Sequence, residues 1–267
     1  MQIQDKTVLI TGAARGIGQA TAMVLAKAGA DIIGVDLRLE DLRDINKAVT
    51  EEGRNFYGYA CDISNESACR ALVAEIKQKN GGFDVLVNNA GVLPSGPFVE
   101  RDFSVWRKTI DVNLTGLILL THAALPILLK RKTAHIVNIA SISGKFGTEG
   151  VAVYAAAKHG VVGFSSALRF ELQDTAVGVS WLCPSMANTR MTRGVSYTLL
   201  TPMVQPEDVA RAVHRAITTN AAEVYVPNRV RWVVSIMPAL LPKFSRWLAR
   251  KAKASRGWLV AEKELES

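Results

Sequence analysis

Cysteine, histidine and aromatic residues are all scarce in this sequence of 267 residues. The three cysteines, Cys61, Cys69 and Cys183, form no C-x-x-C pair, and the four histidines lie far apart along the chain. Because a metal site needs clustered ligands, we expect none here. The odd number of cysteines argues against a disulfide framework and favours a reducing, cytosolic setting.

Targeting segments and long apolar runs are missing as well. The N-terminal stretch MQIQDKTVLITG has no charged region followed by an apolar run and a cleavage site, so it predicts no secretory signal. We also find no clean run of about 18 apolar residues, the length that crosses a bilayer, and therefore expect no membrane span. These expectations favour a cytoplasmic protein.

Acidic residues are outnumbered, but only in one segment. The formal net charge is +8, from 32 Lys and Arg against 24 Asp and Glu. Residues 229–256 hold eight of these bases and no acid, so the remainder carries 24 of each sign. A neutral main domain predicts no nucleic-acid partner. The eight bases are Arg229, Arg231, Lys243, Arg246, Arg250, Lys251, Lys253 and Arg256.

Strand-like and helix-like patterns alternate along the chain up to residue 228. The apolar, β-branched runs predict strands at 6–11, 31–36, 55–60, 84–88, 135–140, 178–183 and 223–226. The intervening segments predict helices at 16–28, 39–52, 65–79, 103–131, 151–174 and 206–219. This alternation predicts an α/β fold, a single Rossmann-like doubly wound parallel sheet with helices on both faces. We place one domain at 1–228 and a basic, amphipathic C-terminal extension at 229–267.

A glycine-rich turn joins the first predicted strand to the first helix. Its sequence, TGAARGIG over residues 11–18, has the spacing G-x-x-x-G-x-G. Such a turn lets backbone N–H groups approach a pyrophosphate at the positive end of a helix. Gly12 would permit the tight turn, Gly16 would let the ligand approach, and Gly18 would let the helix pack on the sheet. The turn therefore predicts a dinucleotide site.

The second strand ends in an acid, which bears on the choice of dinucleotide. Asp36 could accept hydrogen bonds from the adenosine ribose and would repel a 2′-phosphate, which favours NAD. Arg15 and Arg38 favour the opposite choice, because either could bind the 2′-phosphate of NADP. We expect NAD, since the carboxylate acts on the extra phosphate directly, and keep NADP as the alternative.

Further motifs follow at fixed distances along the chain. They are the NNAG run Asn88-Asn89-Ala90-Gly91, Asp62 after the third strand, and Asn113, Ser141, Tyr154 and Lys158. With the glycine turn, this set resembles the short-chain dehydrogenase/reductase family over about residues 5–228. The resemblance implies an oxidoreductase that moves a hydride between a nicotinamide cofactor and an alcohol or carbonyl carbon.

The resemblance also implies catalytic roles for four residues. Tyr154 would be the acid/base, Ser141 would orient the substrate oxygen, and Asn113 would hold a water linked to Lys158. Lys158 would grip the nicotinamide ribose. It follows Tyr154 by one helical turn, so we expect its charge, with that of the oxidised ring, to lower the tyrosine pKa. Ser143 lies close enough in sequence to compete with Ser141.

The family's cofactor contacts are carried over residue by residue. They fall on Gly12, Arg15, Gly16, Ile17, Gly18, Asp36, Leu37, Asp62, Ile63, Asn89, Ala90, Gly91, Tyr154, Lys158, Pro184, Ala187 and Thr189. One departure is visible after the sixth strand, where Ser185 stands in the family's usual glycine position. Its Cβ restricts the backbone there, so this loop could follow a path that differs from the family's usual one.

The loops beyond the carboxyl ends of the strands predict an apolar substrate. Their large apolar residues are Leu93, Pro94, Phe98, Phe146, Met186, Met191, Tyr197, Leu199, Leu200 and Met203. Only Arg190 and Arg193 add charge in the last loop. We expect a lipophilic alcohol or ketone, such as a sterol, a retinoid or an acyl-chain compound. Packing of the loops among themselves is the alternative.

The extension interleaves aromatic and aliphatic residues with its bases, and Pro238 and Pro242 interrupt it. This composition is typical of a helix lying on an anionic membrane, so residues 229–256 could make peripheral membrane contact. The same segment could instead pack on a second subunit or cover the substrate cleft. By family resemblance we expect a homodimer or homotetramer built on the long helices at 103–131 and 151–174.

Three functional hypotheses stay open at this point. The first is an NAD-dependent alcohol dehydrogenase and the second an NADPH-dependent carbonyl reductase. The third is a membrane-associated dinucleotide-binding protein without turnover. The chain has the complete set of Asn113, Ser141, Tyr154 and Lys158, which argues against the third hypothesis. A protein without turnover would tolerate the loss of any of these four residues.

Overall fold

The computed structural model describes residues 1–192 and 202–251. Seven parallel strands form one sheet in the order β3-β2-β1-β4-β5-β6-β7. The strands are β1 (Thr7–Thr11), β2 (Asp31–Asp36), β3 (Phe56–Ala60), β4 (Val85–Asn88), β5 (Ala134–Ile139), β6 (Val177–Pro184) and β7 (Glu223–Val226). The predicted doubly wound parallel sheet is confirmed.

Alternation of side chains along each strand builds a separate core on each face of the sheet. Val8 and Ile10 of β1 point into one cluster, whereas Leu9 between them points into the other. All three are fully buried, as expected for a parallel sheet covered on both faces.

Helices cover both faces of the sheet. In chain order the helices are α1 (Gly16–Lys27), α2 (Arg43–Glu51), α3 (Glu66–Asn80), α4 (Phe103–Ile110), α5 (Gly116–Leu128), α6 (Ala152–Glu171), α7 (Pro206–Thr219), α8 (Met237–Leu240) and α9 (Pro242–Lys251). Apolar residues of α1, α2 and α7 fill one cluster, and those of α3, α5 and α6 fill the other. The predicted helix at 39–52 begins instead with the 3₁₀ turn Leu39–Leu42.

The predicted helix at 103–131 is divided by a π-helical turn, Asp111–Thr115, which joins α4 to α5. By length and composition alone, the run Phe103–Leu128 reaches the values of a membrane-crossing helix, with a mean hydropathy of 1.5 over its best window. This finding does not test the expectation of no membrane span, which stays a prediction. A core helix passes the same test, and α5 packs against α3 and the strands β4 and β5.

The winding of the sheet reverses at β1, which has β2 on one side and β4 on the other. Chain connections leave to opposite sides at such a switch point and open a crevice beyond the carboxyl ends of the strands. The glycine turn follows β1 at this edge, and Asp36 ends β2 there. Ser141 follows β5 at the same edge. The fold thereby gathers residues that are distant in sequence.

The start of the C-terminal extension is packed on the domain. A π-helical turn, Trp232–Ile236, leads into α8. Val230 and Val234 are buried in a third apolar cluster, which also contains Trp181 and Tyr225. The hydroxyl of Tyr225 lies 2.7 Å from that of Ser235. These contacts fix one side of the extension against β6 and β7.

Candidate active site

A cleft of about 860 Å³ opens at the carboxyl edge of the sheet. It is lined by every residue that the sequence predicts for catalysis or cofactor binding except Gly18. A volume in this range suits a ligand the size of a cofactor or drug-like molecule. The sequence-predicted site residues are therefore brought together in one cavity, which the glycine turn and Tyr154 both line.

The glycine turn adopts a backbone that side chains would obstruct. Gly12 and Gly16 have φ values of +64° and +56°, in the left-handed region. A Cβ on Gly16 would lie 3.2 Å from the side chain of Thr189. Gly18 faces the turn, not the cleft, and its Cβ would lie within van der Waals overlap of the Gly12 carbonyl oxygen. The absence of a side chain at Gly18 therefore allows α1 to pack closely against the glycine turn.

The NNAG run holds the glycine turn in place. The Nδ2 of Asn89 donates to the carbonyl oxygens of Thr11 and Gly12 at 2.9 and 3.2 Å. In return, the Thr11 hydroxyl accepts hydrogen bonds from the N–H groups of Asn89 and Ala90, both at 3.0 Å. The amide of Asn89 is thus engaged with the protein backbone, and its side chain acts on the cofactor site through the turn.

Asp36 is tied to the glycine turn by its carboxylate. Its Oδ2 accepts from the N–H of Ala14 at 3.0 Å, and its Oδ1 accepts from the N–H of Leu37 at 2.9 Å. Each oxygen keeps a free lone pair for a ligand hydroxyl. Arg15 and Arg38 both bind Asp41, at 3.2 and 2.9 Å, so neither guanidinium contacts Asp36.

Asp62 follows β3 at the same end of the cleft. Its Oδ1 accepts hydrogen bonds from the N–H and the hydroxyl of Ser64, at 3.0 and 2.6 Å. These bonds form a tight turn that presents Ile63 to the cleft wall.

Tyr154 lies in the first turn of α6, and its side chain lines the cleft together with Ser141, which acts to lower the pKa of the phenol. Ser141 caps the short 3₁₀ turn after β5, where its Oγ accepts from the N–H of Ser143 at 3.1 Å. The two candidate serines differ, because Ser141 influences the pKa of the phenol while Ser143 supplies a backbone donor that orients Ser141.

The pKa of Tyr154 is controlled mainly by burial. Burial raises this pKa to about 12, and Ser141 only partly offsets the effect. Lys158 lies over the ring, with its Nζ 5.6 Å from the ring centroid. In the protein without cofactor the larger influence is therefore desolvation of the phenolate, and the expected lowering by Lys158 together with an oxidised nicotinamide ring stays a prediction.

Lys158 is itself buried, with 4% of its surface exposed. Its Nζ donates to the carbonyl oxygen of Ile139 at 2.8 Å, which anchors it to the end of β5. Desolvation lowers the pKa of this amine to about 8, partly offset by the nearby Cys183. The lysine therefore releases its proton more readily than an exposed lysine does.

Asn113 lies in the π-helical turn and is 1% exposed. Its Nδ2 donates to the carbonyl oxygens of Val92 and Thr109, at 2.8 and 2.9 Å. Within the part of the chain that the structure describes, its buried Oδ1 accepts no hydrogen bond. An orphaned buried acceptor of this kind is a place for a bound water.

The loop after β6 accommodates Ser185 in the position where glycine is usual. Its N–H donates to the carbonyl oxygen of Val226 at 2.7 Å, and its side chain is buried. Thr189 lies against the glycine turn, and Pro184, Ala187 and Thr189 all line the cleft. The predicted cofactor positions of this loop therefore keep their place despite the serine.

The predicted substrate wall is present in part. Leu93, Pro94, Phe146, Met186 and Met191 line the cleft, as does Arg190. The predictions for Arg193, Tyr197, Leu199 and Leu200 fall outside the described residues.

Two residues of the predicted wall lie elsewhere. Phe98 stacks on Trp106, with ring centroids 6.0 Å apart, and turns away from the cleft. Met203 precedes Val204, which pairs with Ala187 in an isolated bridge and leaves Met203 outside the lining. Neither Phe98 nor Met203 therefore lines the cleft.

Sequence reasoning missed several residues of the wall. They are Val105, Lys108, Val112, Thr148 and Val234. Val105, Lys108 and Val112 are separated from one another by three and four residues, so helical periodicity could have placed these three on one common face. No local signal marks Val234, because it reaches the cleft from the C-terminal extension.

Across the described ranges 1–192 and 202–251, no group of three or more His, Cys, Asp or Glu side chains is arranged to hold a metal ion.

Comparison with known proteins gives consistent matches. The sequence profile of the short chain dehydrogenases matches residues 6–199. Ketoacyl reductase HetN of Nostoc sp. is 37% identical over 227 residues, which cover 84% of this chain and 79% of that protein. Mouse 17-beta-hydroxysteroid dehydrogenase 13 is 32% identical over 246 residues, which cover 91% and 80%.

Solved structures agree with these matches. Carveol dehydrogenase from Mycobacterium avium, solved in complex with NAD, has a TM-score of 0.78 and 26% identity over 84% of this chain and 97% of that one. The profile spans more than half of the sequence, and the sheet order and the cleft are those expected from the motifs. The chain belongs to the short-chain dehydrogenase/reductase family and is an oxidoreductase of the kind that acts on hydroxyl- and keto-bearing carbons.

Proposed function

We propose that this protein transfers a hydride between NAD(H) and a lipophilic alcohol or ketone, with Tyr154 as the acid or base. The observation that carries the proposal is the convergence of Asn113, Ser141, Tyr154 and Lys158 on the cleft that the glycine turn also lines. Roles in catalysis require such convergence, since the reacting atoms must lie within reach of all the groups at once.

The cofactor, when bound, would supply or accept the hydride. The hydroxyl of Tyr154 would donate a proton to the substrate oxygen during reduction and take one back during oxidation. Ser141, which lines the same cleft, would hold the same oxygen by a hydrogen bond. Because burial keeps the phenol protonated at neutral pH, reduction uses the form that is already present.

Lys158 and Asn113 would complete a route for the proton. The unsatisfied Oδ1 of Asn113 suits a water, and such a water could pass protons between solvent and the amine of Lys158. The pKa of that amine, lowered to about 8, lies close enough to neutral pH for it to both accept and release a proton.

The residues around the glycine turn fit a nicotinamide dinucleotide. Gly12 and Gly16 leave backbone free of side chains where α1 presents its positive end to the cleft. The carboxylate of Asp36 lines the cleft with lone pairs free for ribose hydroxyls, and its charge would penalise a 2′-phosphate. These features support NAD. The relative solved with NAD, the carveol dehydrogenase, is consistent with this assignment.

NADPH is the second candidate because Arg15 also lines the cleft. Its ion pair with Asp41 is more than half exposed on the arginine side. Exposed pairs of this kind contribute only about 0–1 kcal/mol, so a 2′-phosphate could take the place of Asp41. The substitution Asp36→Ser should then raise NADP affinity, while Arg15→Ser should lower it and leave NAD affinity unchanged.

The apolar wall supports a lipophilic substrate. Leu93, Phe146, Met186 and Met191 line the cleft together with Tyr154, and Lys108 and Arg190 add positive charge to the lining. Two of the relatives are named as a ketoacyl reductase and a 17-beta-hydroxysteroid dehydrogenase, which supports an acyl or steroid substrate. We propose that this chain takes a ketone or alcohol with an extended apolar body.

The proposal predicts that Tyr154→Phe lowers kcat by a factor of about 10³, because general acid–base catalysis commonly contributes about 10²–10⁴. NAD(H) affinity, measured by quenching of protein fluorescence, should stay within about twofold, since the glycine turn is untouched. Tyr57→Phe, a substitution on the exposed side of β3, is the matched control and should retain full activity. Equal activity of Tyr154→Phe and parent would favour a dinucleotide-binding protein without turnover.

We also propose a homodimer or homotetramer built on the long helices. Phe103, Leu129 and Phe170 expose 65%, 45% and 73% of their surfaces on or beside α4, α5 and α6. Light scattering of the full chain tests this, and a monomer at micromolar concentration would contradict it.

A further inference from the structure

The described part of the C-terminal extension carries a band of exposed apolar and basic side chains, which we call the tail surface. It consists of Arg229, Arg231, Trp232, Leu240, Leu241, Lys243, Phe244 and Trp247. Trp232 and Leu240 expose 65% and 73% of their surfaces. Phe244 and Trp247 stack on each other with ring centroids 5.7 Å apart, yet each remains about half exposed.

The opposite side of the same segment is fixed to the domain. Val230 and Val234 are buried against Trp181 and Tyr225, and Ser235 is hydrogen-bonded to Tyr225. The exposed aromatic rings therefore belong to an oriented surface, since the buried side determines which residues face outward.

The composition of this segment identifies the surface on which it would lie. Residues 229–256 contain eight bases and no acid. Aromatic rings combined with bases suit the boundary between lipid headgroups and acyl chains, where anionic headgroups attract the bases. Pro238 and Pro242 interrupt the segment, and α8 is too short to cross a bilayer.

A second copy of the chain fits this surface less well. A symmetric contact would bring the same patch of both subunits together. Arg229, Arg231 and Lys243 would then face their own copies, with no acid in the segment to neutralise them.

The tail surface also borders the cleft. Val234, on the buried side of the segment, is part of the cleft wall. The neighbouring Val233 packs on the apolar cluster that Phe146 joins, and Phe146 is itself a wall residue. A bilayer in contact with the tail surface would therefore lie close to the mouth of the cleft.

We propose that the tail surface docks on an anionic lipid bilayer and that the lipophilic substrate enters the cleft from that bilayer. The docking step is independent of catalysis, whereas the entry of substrate rests on the proposed function. Aromatic insertion and electrostatic attraction act together in docking, so losing either weakens it.

The test measures binding of the full-length protein to vesicles by co-sedimentation, with neither cofactor nor substrate present. Vesicles of phosphatidylcholine with phosphatidylglycerol should bind the protein, and vesicles of phosphatidylcholine alone should bind it at least tenfold more weakly. The double substitution Trp232→Ser/Phe244→Ser should weaken binding to the anionic vesicles at least tenfold. Its matched control, Leu39→Ser/Tyr57→Ser, removes exposed apolar residues near β3 at the opposite edge of the sheet and should bind as the parent does.

A second pair of variants examines the charge. Arg231→Gln/Lys243→Gln should weaken anionic binding and reduce its sensitivity to salt, whereas Lys77→Gln/Lys132→Gln should change neither. Equal binding of parent and tail variants, or no binding of the parent to anionic vesicles, would overturn docking. A tail variant that changes the sedimentation coefficient without changing vesicle binding would identify a second copy as the partner and overturn it as well.

Activity measurements separate this inference from the proposed function. With a water-soluble ketone, Trp232→Ser/Phe244→Ser should retain parental kcat/KM. With a ketone dissolved in anionic vesicles, the same variant should lose at least fivefold in kcat/KM. Docking without turnover of any ketone would contradict the proposed function alone, whereas equal rates on the vesicle-borne ketone would contradict entry from the bilayer.

Discussion

Tyr154 and Lys158 show how far spacing along a helix determines chemistry. An interval of four residues places the amine within 5.6 Å of the ring centroid, as the sequence predicts. It does not determine what the amine binds, and here Lys158 donates to the carbonyl of Ile139, which is 19 residues away in sequence. Burial then controls the pKa of both groups, and burial is a property of the folded chain.

This environment predicts a difference in pH dependence between the two directions of reaction. The phenol of Tyr154 has its pKa raised to about 12, so the acid needed for reduction is present throughout the neutral range. Oxidation needs the phenolate, whose fraction grows as pH rises toward that pKa. We expect kcat/KM for alcohol oxidation to increase between about pH 6 and about pH 9, while kcat/KM for ketone reduction does not increase. Oxidation that is already independent of pH at the lower limit would show that the phenolate is formed there.

At the scale of elements, the strand–turn–helix unit at the start of the chain was predictable because its signals are local. Three glycines, a preceding apolar strand and a following helix lie within about 20 consecutive residues, and each constrains the others. The π-helical turn at Asp111–Thr115 was not predicted. We attribute it to Asn113, whose Nδ2 donates to the carbonyl oxygens of Thr109 in the preceding turn and of Val92 in another loop. Helical periodicity does not predict the contact with Val92.

The packing of α1 on the glycine turn predicts a large effect of a single methyl group. In Gly18→Ala the new Cβ would overlap the Gly12 carbonyl oxygen, so the turn and the helix must separate. We expect the free energy of unfolding to fall by about 3 kcal/mol, the upper range for overpacking. The melting temperature should fall by about 6–12 °C in differential scanning calorimetry.

Gly163→Ala is the control for that substitution. Gly163 lies within α6, and a Cβ there would meet nothing within 4 Å. The alanine should stabilise the protein by about 1 kcal/mol, because glycine is the poorer helix former. Equal melting temperatures of the two variants would contradict the close approach at Gly18.

At the scale of the whole molecule, the general architecture followed from the sequence and the complete cleft did not. Continuous apolar strands predict a buried parallel sheet wherever they occur, and the parallel order then collects the strand ends at one edge. Val234 joins the same cleft from beyond β7, 80 residues after Tyr154 in the sequence. No periodicity or motif predicts that contact, since it depends on where the extension turns back.

The packing of the extension predicts that shortening the chain will cost stability. A chain ending at residue 228 would lose Val230 and Val234, which are 1% and 4% exposed. Burial of a valine side chain contributes about 1.5–3 kcal/mol, so the free energy of unfolding should fall by about 3 kcal/mol or more. Urea unfolding followed by circular dichroism measures this loss. A chain ending at residue 240 keeps both valines and should unfold at nearly the parental midpoint, and identical midpoints for the two shortened chains would contradict the packing.

Val234 lines the cleft and also lies in the segment that carries the tail surface. Substrate binding in the cleft and docking of the tail surface on a bilayer would therefore be coupled through this residue. Thermodynamic linkage is reciprocal, and any factor by which an occupied cleft strengthens adhesion of the tail is the factor by which adhesion strengthens occupancy. Saturation of the cleft would then regulate how long the enzyme resides on a surface, without any second regulatory site.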